Sequence, residues 1–182
     1  MSYLYISAPL SIVKKPKWVD EFRKKYDEPR LFHVSLKRAV KISKREEKKV
    51  KQLATEIAAR HTAETLTFSK IFFGKSSSGH YIMIGIEPNK VVKKLLKDCY
   101  TTFLPYAKYV RPENAEHDKQ MKTHLTIGRR LTPAQFKKAK AELPKKVKII
   151  ARLNTLSLAL NPSSDSDYYD DPRYLTTFKL QD

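Results

Sequence analysis

Two short segments of the chain carry the same set of reactive side chains. His33-Val-Ser-Leu-Lys-Arg38 and His124-Leu-Thr-Ile-Gly-Arg129 both read His-x-Ser/Thr-aliphatic-x-Arg, with the histidines 91 residues apart. Each alternates polar and aliphatic residues, the pattern of a half-buried strand. His33 and Ser35, or His124 and Thr126, share one face, while Val34 and Leu36, or Leu125 and Ile127, turn into a core. The imidazole and the hydroxyl then stand about 6.6 Å apart along the strand. A pseudo-twofold between the two halves would set the pairs across a single cleft. Two imidazoles and two hydroxyls facing one another suit a phosphodiester. One histidine takes the proton of an attacking water, and the other protonates the leaving oxygen on the far side of phosphorus. The hydroxyls donate to the non-bridging oxygens, and an arginine neutralises the charge there.

The elements that would position these residues are readable from pattern. Tyr3–Leu10 is a strand, and Trp18, Phe22 and Tyr26 lie on one face of a short helix. Leu31–Lys37 is the first His-bearing strand. Ser43 and Glu46 form a capping box ahead of Val50, Leu53, Ala54, Ile57 and Ala58 at helical spacing. Thr65–Phe73 and His80–Ile86 form a hairpin around Gly74–Gly79, a turn that lacks the pattern of a phosphate-binding loop. Asn89 caps a helix that ends at Pro105 and bridges the halves. Pro112–Gln120 is a polar loop, and Lys122–Gly128 is the second His-bearing strand. Thr132-Pro133 opens a third helix with Phe136, Ala139 and Leu143 as its apolar stripe. Val147–Leu160 reads as one long strand, Asn161–Pro172 as an acidic loop, and Arg173–Leu180 as a last strand. The order His-strand, helix, hairpin thus occurs at 31–86 and again, more loosely, at 122–180. The expectation is an α+β fold in a single domain over 1–182: bilobal, duplicated, with two antiparallel sheets lining a central cleft and helices packed outside.

Composition narrows the partner. The 182 residues hold 37 Lys+Arg against 19 Asp+Glu, a net charge of +18, which points to a polyanion such as RNA. Four glycines and ten prolines exclude collagen-like and low-complexity readings. Cys99 is the single cysteine, which excludes an intramolecular disulfide and a cysteine-based zinc site and makes a reducing compartment the default. No apolar run approaches the ~20 residues of a membrane span. A cytoplasmic monomer without membrane contact is expected.

The paired motifs resemble those of the two-histidine phosphoesterases, which include the 2′-5′ RNA ligase-like RNA 2′,3′-cyclic phosphodiesterases. The likeness rests on His33-Val-Ser-Leu36 and His124-Leu-Thr-Ile127, and the order of elements fits over roughly 1–180. It implies that His33 and His124 are catalytic, that Ser35 and Thr126 bind phosphate, and that Arg129 does so in the RNA-directed branch. Arg38 is its counterpart in this chain. It also implies a metal-independent enzyme without a cofactor that opens 2′,3′-cyclic phosphates at RNA ends to 2′-phosphates, with His124 as base and His33 as acid. A 2′-5′ ligase, an RNA 3′-end exonuclease, a hydrolase of small cyclic nucleotides and a non-catalytic RNA-binding module use the same centre or the same charge and stay open.

The remaining residues divide between surface and site. His61, His80 and His117 share no ligand spacing and read as surface or strand histidines. Lys37–Lys51, with eight basic and two acidic residues, is either a solvated helix face or a track for an RNA backbone. Tyr106 and Tyr109 are core or base-stacking residues, and Tyr168 and Tyr169 belong to an exposed loop or to a lid.

Overall fold

The computed structural model describes residues 1–27, 30–120, 122–163 and 171–182. The order of elements is β1 (Ser2–Lys14), α1 (Trp18–Tyr26), β2 (His33–Ile42), α2 (Glu47–Ala58) after a 3-10 turn at Lys44–Glu46, β3 (Glu64–Ser76), β4 (Gly79–Ile86), α3 (Lys90–Thr102), α4 (Glu113–Gln120), β5 (His124–Leu131), α5 (Pro133–Glu142), β6 (Ile149–Leu153), β7 (Thr155–Asn161) and β8 (Leu175–Lys179).

All strand pairs are antiparallel, and β1 carries two sheets. Its first half pairs with β2 on one side and β7 on the other, giving the order β2-β1-β7-β8. Its second half, from Leu10, pairs with β6 and continues as β6-β3-β4-β5. The expected long strand at 147–160 therefore breaks at Asn154, where the chain passes from the second sheet (β6) to the first (β7). The repeating halves of the sequence are not the lobes of the fold. β3 and β4 follow β2 in the chain but join the sheet of β5.

Each sheet buries one face beneath helices. α2 and α3 pack on the first sheet, over residues that include Leu4, Ile6, Val34, Leu36, Leu156 and Leu158; α1 and α5 pack on the second, over Ile82, Ile84, Leu125 and Ile127. α3 stands beside α2 on β2. The caps form as the residue types dictate. Asn89 accepts from Val92 N–H at 2.9 Å, and Thr132 and Gln135 exchange bonds at 3.0 and 3.3 Å. Among the described residues no helix is long and apolar enough to cross a membrane.

The segment 112–120, expected as a loop, is helix α4. It has no apolar stripe, and its one buried residue is Asp118. What fastens it is an ion pair with Lys37, a residue expected in an exposed basic run but 0% exposed. Nζ of Lys37 lies 3.0 Å from Asp118 Oδ2 and donates to the Tyr109 hydroxyl at 2.5 Å. Tyr109 in turn donates to Asp118 at 2.9 Å, and Asp118 accepts the backbone N–H of Arg38 at 3.1 Å. Burial pulls the Lys37 ammonium below its usual pKa, and the Asp118 carboxylate pulls it back up. Backbone bonds from Lys41 to Lys108 and from Val110 to Ala39 complete the attachment to β2. Tyr109 thus belongs to a buried polar network, and Tyr106 packs on Phe103 with ring centroids 6.2 Å apart. His61 is also buried, its Nε2 at 2.8 Å from Asp98.

Removing one member of this pair leaves a buried charge. Asp118→Ala is expected to lower stability by about 3–5 kcal/mol, whereas the double variant Lys37→Met, Asp118→Ala recovers most of that loss. Urea unfolding of both variants reads the difference, and equal losses would contradict the buried ion pair.

Candidate functional site

β2 and β5 are the outer strands of their sheets, and their exposed faces line one cleft of about 530 Å³. Into it point His33, Ser35 and Arg38 from β2 and His124, Thr126 and Arg129 from β5. All six candidate residues meet at a single site.

Simple alternation does not account for this. A residue five positions after a histidine falls on the opposite face of a regular strand. In β2, Ser7 pairs with Ser35 but Ile6 pairs with Lys37, and the next pair is Leu4 with Val40. In β5, Met83 pairs with Thr126, Ile82 with Gly128, and His80 with Leu131. Each His-bearing strand carries an extra residue at the same place, and that bulge shifts the parity. The burial pattern is the same in both, half-buried residues alternating with buried ones until two buried residues stand together. Lys37 and Gly128 occupy the second buried position, and Arg38 and Arg129 then return to the cleft.

The symmetry extends to the neighbouring strands. Pro9 pairs with His33 as Gly85 does with His124, so β1 matches β4 with Tyr5 equivalent to Tyr81. Both tyrosines line the cleft, and both hydroxyls meet a serine: Tyr5 with Ser35 at 2.6 Å and Tyr81 with Ser78 at 2.7 Å. Burial would raise the Tyr81 phenol, but the hydrogen bonds of Ser78 and Ser76 and the charges of Arg130 and Arg129 hold it below the ordinary tyrosine value. The repeated Tyr-Ile of Tyr5-Ile6 and Tyr81-Ile82 was the available signal for this pair.

Each imidazole is set from behind. His33 Nδ1 donates to the Leu31 carbonyl at 3.1 Å, which leaves Nε2 for the cleft. Lys122 stands two residues before His124 as Leu31 does before His33, and its backbone favours the charged ring, although Nδ1 of His124 makes no hydrogen bond of ordinary geometry among the described residues. His124 packs edge-on to Phe72 with centroids 5.7 Å apart, and His33 edge-on to Tyr5 at 6.3 Å. Burial first, then the positive charge of Arg38 and the neighbouring His117 and His33, push His124 down to about 3. It is a neutral imidazole at neutral pH. Arg129 is held by Asp27 at the end of α1, Nε to Oδ1 at 3.3 Å, and the other oxygen of Asp27 accepts from Arg23 at 2.9 Å.

Sequence reasoning missed much of the cleft wall. His117 of α4 faces the cleft, as do Arg30, Arg111, Lys75 and Arg130, with Glu113 as the one acidic residue in the described wall. Lys44, Lys48 and Lys51, taken as a possible RNA track, are not part of the wall. α2 packs on β7 and β8, and Lys44 pairs with Glu47 at 3.3 Å. Tyr106 and Tyr109 do not reach the cleft either. Tyr168 and Tyr169 lie outside the described residues.

Residues 11–161 match the model of the family described as the 2′-5′ RNA ligase superfamily. No curated protein matches the sequence. Among solved structures, one described only as a phosphoesterase aligns over 100% of this chain and 99% of its own at 15% identity, with a TM-score of 0.63. LigT of E. coli, complexed with phosphate, aligns over 100% and 98% at 15% identity and a TM-score of 0.55. Usb1 of Kluyveromyces marxianus aligns over 98% of each chain at 10% identity and a TM-score of 0.56. The fold is theirs.

The low His124 value has a direct consequence. In the ligand-free protein the ring is expected to titrate at about 3 by NMR, and inorganic phosphate in the cleft raises that value by supplying the missing countercharge. The folded pKa lies below the unfolded one, so the unfolded chain takes up the proton first as pH falls. Stability from this residue is therefore lost from about pH 6.5 downward and levels off below about 3. A ligand-free His124 that titrates at an ordinary histidine value would contradict the burial and charge described.

Proposed function

The chain belongs to the 2′-5′ RNA ligase superfamily, and on that premise we propose that it is a metal-independent phosphodiesterase acting on RNA ends, which opens 2′,3′-cyclic phosphates to 2′-phosphates. The observation that carries the reading is the convergence of two imidazoles, two hydroxyls and two guanidinium groups, one of each from β2 and β5, on one cleft.

In the proposed reaction the cyclic phosphate lies between the strands. Ser35, Thr126, Arg38 and Arg129 hold its non-bridging oxygens and take up the charge that builds there. His124, neutral at working pH, accepts a proton from water as the water oxygen bonds to phosphorus. The P–O3′ bond breaks, and O3′ takes the proton carried by His33. The product is a 3′-hydroxyl and a 2′-phosphate. The histidines have then exchanged protonation states, and solvent restores them. Tyr5, bonded to Ser35, positions that hydroxyl. Asp27 does the same for Arg129. LigT, which shares the fold, has been solved in complex with phosphate.

An RNA ending in a 2′,3′-cyclic phosphate, incubated with the protein in EDTA, is expected to yield a phosphatase-sensitive 2′-phosphate end. His33→Ala or His124→Ala should each lower kcat by about 10²–10⁴-fold, and Ser35→Ala and Thr126→Ala by less. The acid limb of the kcat/KM profile should fall below the ordinary histidine range, because the free enzyme's His124 lies low. Full activity in a variant lacking both histidines would overturn the proposal.

A further inference from the structure

The cage is symmetric, but its surroundings are not. The matching registers carry one strand further. β7 pairs with β1 at Tyr5–Ala159, Leu4–Leu160 and Tyr3–Asn161, and β3 pairs with β4 at Tyr81–Gly74, His80–Lys75 and Gly79–Ser76. Lys75 and Ser76 therefore occupy the places of Leu160 and the buried Asn161. Arg130, one position past Arg129, occupies the place of Ala39. A cage with two-fold pseudosymmetry would accept a phosphodiester in either direction. At these three positions the β3–β4 side carries two cations and a hydroxyl, where the β1–β7 side has Leu160, Asn161 and Ala39.

The backbone holds this flank together at a cost. Arg130 has φ 52, the one positive value at a non-glycine residue among those described. Nothing in the turn needs an arginine there; glycine or asparagine would adopt that conformation with less strain. Gly79, with φ 124, presses against the same spot, and a Cβ on it would stand 2.9 Å from the Arg130 carbonyl carbon. The hairpin end with Lys75 and Ser76 is thus packed backbone to backbone against the bulge that presents Arg130. Ser76, Ser78 and Tyr81 join it through hydroxyl contacts of 2.9 and 2.7 Å. Strain retained at a cleft-lining arginine points to a role for the side chain.

We propose that Lys75, Ser76 and Arg130 form a second phosphate subsite, which takes the internucleotide phosphate next to the reacting one and so leads the RNA strand out of the cleft over the β3–β4 hairpin. This rests on the proposed phosphodiesterase reading and adds to it a substrate polarity and a preference for oligonucleotides over cyclic mononucleotides.

The test compares adenosine 2′,3′-cyclic phosphate with a short oligoribonucleotide ending in the same group. Lys75→Gln and Arg130→Asn, the latter compatible with the left-handed backbone, are expected to lower kcat/KM about tenfold each for the oligonucleotide and to leave the mononucleotide within twofold. The salt dependence of oligonucleotide binding should flatten by about 0.7 per cation removed. Equal losses on both substrates, or no loss on either, would overturn the subsite. A selective loss in Arg111→Gln instead would overturn the polarity. If the wild-type protein opens neither substrate, the proposed activity has failed rather than the subsite. The subsite is then read from binding of an oligonucleotide 3′-phosphate against adenosine 3′-monophosphate, and a weakening in the two variants that is not selective for the oligonucleotide overturns it.

Discussion

A β-strand alternates its side chains with period two, so a group five residues after a histidine faces away from it unless the backbone is interrupted. The cleft depends on breaking that rule twice. In β2 and in β5 an extra residue follows the His-x-Ser/Thr pair, so that Leu36 and Lys37 together stand opposite Ile6, and Ile127 and Gly128 opposite Ile82, and this brings Arg38 and Arg129 back to the imidazole face. Without the bulges each arginine would lie among the core-facing aliphatics, away from the imidazole and the hydroxyl of its own strand. The two strands solve the crowding at the buried position differently. Gly128 has no side chain to place. Its Cβ would stand 3.2 Å from Ile82. Lys37 keeps its chain and buries the charge against Asp118.

That burial links packing to electrostatics. The carboxylate that stabilises the Lys37 ammonium sits on α4, and α4 brings His117 to the cleft wall beside Arg38. The wall holds many cations and one carboxylate in its described part. Burial first, and then these charges, disfavour a cationic imidazole at His124 until an anion enters, and the same field attracts an anion to the cleft. The +18 net charge supplies the long-range part of that attraction. The basic residues of α2, packed on the outside of the first sheet, contribute to it without touching the cleft.

The paired motifs, the capped helices and the α+β character were legible because each rests on local pattern: alternation, capping boxes, Pro at the first helical position. His33, Ser35, His124 and Thr126 were legible for the same reason, whereas Arg38 and Arg129 showed only as a repeated spacing that alternation alone would turn away from the cleft. What escaped was non-local. No periodicity reveals that β1 serves two sheets, or that the run 147–160 breaks at Asn154 to change sheets. α4 was hidden because an ion pair rather than an apolar stripe fastens it, and Lys37 read as surface because its partner lies 81 residues away. Tyr5 and Tyr81 were visible only as a repeated Tyr-Ile whose meaning depends on the registers of β1 with β2 and β4 with β5.

In the proposed reaction the two bulged strands close on one phosphate, and a crystal structure with a nucleoside 2′-phosphate bound would show whether they do. The phosphate oxygens are expected within hydrogen-bond distance of Nε2 of both His33 and His124, of both the Ser35 and Thr126 hydroxyls, and of the guanidinium groups of Arg38 and Arg129. A phosphate held by one strand alone, with the other histidine out of reach, would contradict it.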